Sequence, residues 1–300
     1  MLDSKKIKVA IAPIGWTNDD MPELGGNISF DQCISEMIEA GYVGSEVGNK
    51  YPKDPKELHK VLDPKKFSIA SQWFSSFFTT KPLEETVAAF KTHMAFLKAM
   101  GSKVIVISEQ GGSIQGQMNT PILEKKPVLD AAGWDKLVKG LETIGKLAKD
   151  NGMKIVYHHH MGTVVQSREE IDTLMKKSNP DLVWLLADTG HMTYAAGDPV
   201  KLIEDYGSRI AHIHLKNIRA NIVKEVKAKK LSFLKSVKLG AFTVPGDAEG
   251  SIDFAAVFKA IEKIKYEGWL VVEAEQDPEK ANPLKYAKIG REAIRKFGGV

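Results

Sequence analysis

The chain predicts a (β/α)8 barrel folded as one domain over residues 1–300, and three observations lead there. Short apolar segments alternate with longer amphipathic ones along the whole 300 residues. The apolar segments are rich in Val, Ile and Leu, as strands buried on both faces of a parallel sheet are. Ionisable side chains gather at the C-terminal ends of four successive strands, on the rim where barrels of this class carry their chemistry.

The strands are expected at residues 9–13, 43–47, 67–72, 104–108, 154–158, 182–188, 210–214 and 270–273. Between them, helical patterns have recognisable ends. Ser29 and Gln32 resemble a capping box ahead of residues 33–40, and Gly41 is a natural stop. Residues 84–99 end at Gly101, and residues 134–149 end at Gly152. Ser167 and Glu170 form a second S-x-x-E start before residues 171–177. Residues 199–206 end at Gly207 and residues 253–266 at Gly268, and residues 283–296 close the chain before Gly298 and Gly299. The repeat counts as eight strand-then-helix units. A doubly wound open sheet shares the alternation, but no G-x-G-x-x-G follows the first strand. Residues 110–132 and 218–250 read as long loops after strands four and seven, and long loops in compact domains are usually functional or mobile.

Composition excludes several classes. With 43% apolar and 27% charged residues, 25 Gly and 13 Pro, the chain is neither disordered nor low in complexity. A single cysteine, Cys33, rules out an internal disulfide framework or a CxxC zinc ribbon. The net charge of +4 is too small a bias to indicate a nucleic-acid partner. The run 182–187 is far too short to span a membrane, and the Lys-rich start lacks the apolar stretch of a secretory signal, so a soluble, cytoplasmic protein is expected.

Strand alternation places Lys154, Val156, His158 and His160 on one face, with His159 pointing away. Trp184, Leu186 and Asp188 share a face on the next strand, as do Ile210, His212, His214 and Lys216, and then Val271, Glu273 and Glu275. Such groups are costly to gather unless paired or bound to a cation, and imidazole with carboxylate suits a divalent transition metal. Asp188, His214 and Glu273 are therefore expected as ligands, with His158 or His160 as the fourth. For any one of them alone, a hydrogen-bonded polar residue at a strand end is the better reading; the set of four changes that balance. His191, three residues after Asp188, is a candidate ligand, substrate contact or proton carrier. Lys216 is expected to be pushed toward its neutral form by the cation, as a base requires.

The earlier strands end in Trp16, Asn18, Asp19 and Asp20, then Glu46, then Gln72 and Trp73, then Glu109. Of these, Trp16, Asn18, Gln72, Trp73 and Glu109, with Glu275, are expected to contact a polyhydroxyl substrate, although residues 18–20 also suit an ordinary turn. Residues 224–238 carry six Lys and one Glu. Within them Leu231, Phe233 and Leu234 hint at an amphipathic helix lying on the barrel or on a second subunit, so a homo-oligomer is a weak expectation.

At these residues the chain resembles a known family. The segments Gly152-Met-Lys-Ile-Val-Tyr-His158, Asp188-Thr-Gly-His191, His212-Ile-His214-Leu-Lys216-Asn217, Pro245-Gly246, Ile252-Asp253-Phe254 and Gly268-Trp-Leu-Val-Val-Glu273 are similar, in order, to those of xylose-isomerase-like barrels. Those include sugar isomerases, ketose epimerases, dehydratases and endonuclease IV. Four further stretches resemble the inosose dehydratases of inositol catabolism. They are Gly15-Trp16-Thr-Asn18-Asp19-Asp20-Met-Pro, Gly41-Tyr-Val-Gly-Ser-Glu46-Val-Gly, Tyr157-His158-His-His160-Met-Gly-Thr163 and Glu273-Ala-Glu275-Gln-Asp277-Pro278.

The resemblance implies dehydration of 2-keto-myo-inositol (scyllo-inosose) to a trihydroxycyclohexane-dione, with Mn or Co and with glutathione as a family cofactor. Many relatives carry Glu where this chain has His158, which changes the charge of the site. Removing the α-proton and expelling the β-hydroxyl needs a base, read as Lys216 or Glu46, and an acid, read as His191 or His160. A ketose epimerase or sugar isomerase shares the enolisation and is the alternative. An endonuclease of the endonuclease IV type would need further His ligands on strands two to four, which end instead in Glu46, Gln72 and Glu109.

Overall fold

A computed structural model describes residues 1–300. Its elements run β1 (Ile7–Ile11), α1 (Phe30–Glu39), β2 (Gly44–Ser45), α2 (Pro55–Leu62), β3 (Ser68–Ile69), β4 (Trp73–Ser76), α3 (Leu83–Ala99), β5 (Val104–Glu109), α4 (Ala131–Asp150), β6 (Lys154–His158), α5 (Arg168–Lys177), β7 (Val183–Asp188), α6 (Thr189–Tyr194), α7 (Pro199–Tyr206), β8 (Ile210–Leu215), β9 (Asn217–Ile218), α8 (Ala220–Ala228), α9 (Phe233–Lys238), β10 (Phe242–Thr243), α10 (Phe254–Lys263), β11 (Gly268–Val272) and α11 (Pro283–Gly298).

The main sheet is parallel throughout, in the order β3-β2-β1-β11-β8-β7-β6-β5-β4. Its two ends, β3 and β4, are halves of one stretch of chain. The first half pairs with β2 and the second with β5, so the sheet closes and nine assigned strands make eight staves. Ser71 bridges the break: its hydroxyl donates to Val104 O at 3.0 Å and accepts from Val106 N at 3.1 Å. The expected strand at residues 67–72 is thus the first part of a longer, interrupted stave.

Alternation along each stave separates two apolar layers. Ile155, Tyr157, Leu185, Ile213 and Val272 face the surrounding helices and belong to the main core. Val104, Val106, Val156 and Leu186 fill the barrel interior. Above this interior layer the side chains become ionisable. No helix is long and apolar enough to cross a membrane.

Helix starts follow their caps. Ser167 and Glu170 make the full reciprocal capping box at α5. Ser29 caps α1 through Gln32 N, but the Gln32 amide turns to Glu36 instead of returning. Helix α2, capped by Asp54 with Pro55 behind it, carries no pattern strong enough to have been anticipated. Residues 110–130 are a long loop, as expected. The segment 218–250 is not one: it folds into β9, α8, α9 and the antiparallel partner β10. Its apolar residues Ile218, Val226, Phe233, Leu234, Val237 and Phe242 pack with Met21, Ile114, Ile122 and Met161 into a second core over the barrel mouth. Of the apolar residues on which a homo-oligomer was expected, Phe233 and Leu234 are buried within the chain and Leu231 is half-buried against the same core; Leu239, nearby, is exposed.

Candidate metal centre and active site

Three staves and the segment after β11 deliver four ligand-type side chains to one point at the C-terminal mouth. In register, Asp188 pairs with His214 and Val271 with His214. His158 Nε2 lies 3.2 Å and His214 Nδ1 3.5 Å from Asp188 Oδ2, and Glu273 Oε2 is in close contact with His214 Nδ1. Ligand atoms of His158, Asp188, His214 and Glu273 all lie within 4.8 Å of one another. His158, rather than His160, completes this set.

The donor chemistry fits a divalent cation on two grounds. Two imidazoles and two carboxylates are a borderline-soft set suited to Mn, Fe, Co or Zn. Moreover, His214 Nδ1 and Glu273 Oε2 are buried against each other with no hydrogen bond between them, an arrangement that lacks a shared partner. The other nitrogen of His214 is 3.1 Å from Glu46 Oε1, the carboxylate support that metal-binding imidazoles commonly have. The same Glu46 oxygen lies 2.9 Å from His212 Nε2. Burial pushes the Glu46 carboxyl up, but His214 and His212 more than offset this and hold it well below the usual carboxylate range. Burial pushes the His214 imidazole down, and Glu46 and Glu273 outweigh it, raising it well above the ordinary value. Burial drives His158 well down.

Beside this set lies a second one. His191 and Glu275, with His160 beside them, meet at Lys216, whose Nζ is 2.9 Å from His191 Nε2, 2.8 Å from Glu275 Oε2 and 3.3 Å from Glu273 Oε1. Lys216 is wholly buried. Burial pushes its ammonium down, but Asp188, Glu273 and Glu275 raise it far above the usual lysine value. The neutral lysine expected from the sequence rested on the nearby cation alone; three carboxylates facing Lys216 pull the other way and favour its charged form. Gly190 permits the arrangement, because a Cβ there would sit 2.5 Å from Lys216 Cγ. Asp188 also caps α6 by accepting from His191 N at 2.8 Å, which swings His191 back toward the same centre. His159, buried away from both sets, accepts from Asp188 N at 3.3 Å, and burial lowers its pKa to about 4.

A cavity of about 260 Å³ opens onto these groups, lined by Glu46, Trp73, His160, His214, Glu273 and Glu275, and also by Asp19, Asp20, Ser75 and Gln115. Larger hollows exist on the outer helix layer, such as one of about 790 Å³ along α3 and α4, but they are lined by surface lysines and carboxylates far from the barrel mouth.

Several expected substrate contacts lie elsewhere. Trp16 is buried in the core and donates through Nε1 to Glu36 at 2.7 Å. Asn18 accepts from Asp20 N and Met21 N, each at 2.9 Å, and so builds a turn instead of lining the cavity. Gln72 falls in the break between β3 and β4 and does not line the cavity. Glu109 is fully buried and accepts from Ser76 Oγ, Phe78 N, Thr79 N, Thr79 Oγ1 and Gly111 N, which locks the β4–α3 turn to the end of β5. Trp73 and Glu275 do line the cavity, with the Trp73 ring 5.3 and 5.5 Å from the rings of His158 and His160. The sequence reading missed Ser75 and Gln115. Gln115 comes from a loop whose fold depends on a distant backbone contact, Ile114 N to Gly162 O at 3.0 Å, which leaves no local signal.

A family model described as the xylose isomerase-like TIM barrel matches residues 18–297. Inosose dehydratases from Clostridium tetani (strain Massachusetts / E88) and Geobacillus thermodenitrificans (strain NG80-2) are 58% and 56% identical over 300 residues, covering all of this chain and all of theirs. The chain belongs to the inosose dehydratase family of xylose isomerase-like barrels. Among solved structures, the IOLI protein with a bound zinc atom superposes with a TM-score of 0.68 at 17% identity, covering 97% of each chain, and shares the fold of this family.

Proposed function

We propose that this chain is a metal-dependent hydro-lyase that converts 2-keto-myo-inositol to 3D-3,5/4-trihydroxycyclohexane-1,2-dione and water. The observation that carries the reading is the convergence of His158, Asp188, His214 and Glu273 beside a cavity faced by further ionised carboxylates. The four would hold a divalent ion, Mn or Co by family resemblance. Such an ion supplies Lewis acidity at the substrate carbonyl and the oxygen next to it, which makes the adjacent C–H acidic.

The chain's own residues do the rest. The α-proton goes to a carboxylate facing the cavity. Glu46 and Glu275 are both there, and both are held ionised although burial opposes it, Glu46 by His214 and His212, Glu275 chiefly by Lys216. Lys216 is a charge holder behind Glu275 in this scheme. His160, on the cavity wall with His191 packed behind it at a ring separation of 3.8 Å, delivers the proton with which the β-hydroxyl leaves as water. One C–H and one C–O bond break, a C=C bond forms, and the resulting enol tautomerises to the dione. The change is redox-neutral, so glutathione would act other than as a reductant; omitting it from the assay tests that family expectation. Trp73 offers its ring to the apolar face of the cyclitol.

The test is turnover of scyllo-inosose by Mn- or Co-loaded protein, followed by dione absorbance, alongside metal analysis of Asp188→Asn and Glu273→Ala. The asparagine keeps the cap on α6. Both variants should lose bound metal and at least about a hundredfold in turnover. Survival of both properties in both variants would sink the metal reading.

A further inference from the structure

Stave β4 has two unlike faces. Phe74 turns outward into the main core, its ring 5.5 Å from that of Phe90, and Ser76 turns outward to donate to Glu109 Oε2 at 2.7 Å. Trp73 and Ser75 alternate with them and so face the barrel interior, where both line the cavity. Ser75 is half-buried. Beyond Cβ its side chain is the hydroxyl alone, so what it presents to the cavity is polar. The elimination proposed above gives Trp73 a part and Ser75 none.

Donor and acceptor roles are fixed at this pair. Trp73 donates through Nε1 to Ser75 Oγ at 2.9 Å. An indole nitrogen only donates, so Ser75 must accept in that bond, and its own O–H proton is not committed to it. The chain offers that proton no acceptor, since the bond from Trp73 is the one hydrogen bond Ser75 Oγ makes. The oxygen is thus held from the Trp73 side, and its hydrogen is left for a group in the cavity. Register sets its height. Trp73 pairs with Val106 and Val106 with Val156. Two residues further on, Ser75 stands level with the proposed ligand His158 but two staves away, about 9–10 Å of sheet. A donor that far round the barrel is placed for a different ring oxygen from those the metal set holds.

We propose that Ser75 is a specificity-determining residue: its hydroxyl donates a hydrogen bond to a substrate hydroxyl oxygen that takes no part in the elimination. This rests on the cyclitol reading above and deepens it, because stereoisomeric cyclitol ketones differ in where such oxygens lie. The contact is made alike in ground and transition states, so its loss raises KM and leaves kcat.

A panel of monodeoxy-inososes, each lacking one hydroxyl that the elimination does not use, tests this with the metal-loaded enzyme. The wild type should lose about tenfold in kcat/KM on the analogue lacking the oxygen that Ser75 reads. Ser75→Ala should turn over inosose with KM raised by about the same factor and kcat held. It should no longer penalise that analogue relative to inosose, while its penalties at the other positions stay as in the wild type. The alanine also takes the acceptor from Trp73 Nε1, and the Trp73 ring packs against His158 and His160. A role confined to holding Trp73 would therefore lower kcat on every member of the panel alike. That uniform loss, with or without loss of metal, would overturn the proposal. So would an unchanged profile in Ser75→Ala, or a wild type that penalises no position. No turnover of inosose by the wild type sinks the dehydratase reading and this inference with it, whereas wild-type turnover with any of those three results sinks this inference alone.

Discussion

Two clusters of imidazole and carboxylate stand side by side at the barrel mouth, and they differ in one respect. In the cluster of His160, His191 and Glu275, the last two hold a cation that the chain itself provides, the ammonium of Lys216. His158, Asp188, His214 and Glu273 surround none, and two of their atoms crowd together without a hydrogen bond. Buried carboxylates need positive charge nearby. A cluster with two carboxylates that only borrows its neighbour's ammonium from one side is the place for an ion from outside. Lys216 also reaches toward the first cluster, 3.3 Å from Glu273 and 3.7 Å from Asp188, so the two share a field while using different cations.

Lys216→Met breaks this division most severely. It leaves Glu275 without its main countercharge and should cost about 3–5 kcal/mol of stability, read as a lowered denaturation midpoint. Turnover should fall by at least about a hundredfold. Metal content per chain should be unchanged, because none of the four proposed ligands is lost. If metal content falls with activity, the clusters act as one and the assignment of separate cations is wrong.

A smaller effect is expected at Glu46, which lines the cavity yet keeps one oxygen within hydrogen-bond range of both His212 and His214. Glu46→Gln keeps the shape and removes the charge that raises His214. Support of this kind is typically worth about 10- to 100-fold in metal affinity. Titration with Mn or Co by calorimetry should show that weakening, with the fold intact. A variant that binds metal as tightly as the wild type would reduce Glu46 to a cavity-wall residue, with its proton-accepting role the one left to test.

The two clusters were unequally legible in the sequence. Strand periodicity put His158, Asp188, His214 and Glu273 on one rim because each stave repeats every two residues, and neighbouring staves bring like positions level. It could not separate His158 from His160 as the fourth ligand, since both share that face. The carboxylates that face Lys216 were not legible as a set, because Asp188, Glu273 and Glu275 come from different staves and meet it at distances set by tertiary packing. Trp16, Asn18 and Glu109 were placed in the site for standing near strand ends. Their hydrogen bonds, to Glu36, to the 20–21 backbone and to the β4–α3 turn, are with groups that no periodicity locates. The closure of the barrel through an interrupted third stave was hidden for the same reason, because Ser71 looks like any other polar residue until Val104 and Val106 lie beside it.

His93 sharpens the contrast from outside the site, since it is a largely buried imidazole without any carboxylate. It packs against Phe74 at 5.2 Å, its Nε2 has no partner, and burial lowers its pKa to about 4 although the Gln72 carbonyl opposes this. An unfolded histidine titrates near 6.5, so below that pH the unfolded chain takes up a proton that the folded one refuses. Stability tied to His93 is therefore full above about pH 6.5 and declines as pH falls toward about 4. At pH 5 the loss from this one group is about 2 kcal/mol. His93→Leu removes the group, so the stability difference between pH 8 and pH 5, from urea denaturation, should shrink by about that amount. Glu46 and Glu273 shift His214 in the opposite direction, so it cannot contribute to this loss. An acid sensitivity as large in the variant as in the wild type would show that the carboxylate-rich mouth, rather than this isolated imidazole, governs how the fold responds to acid.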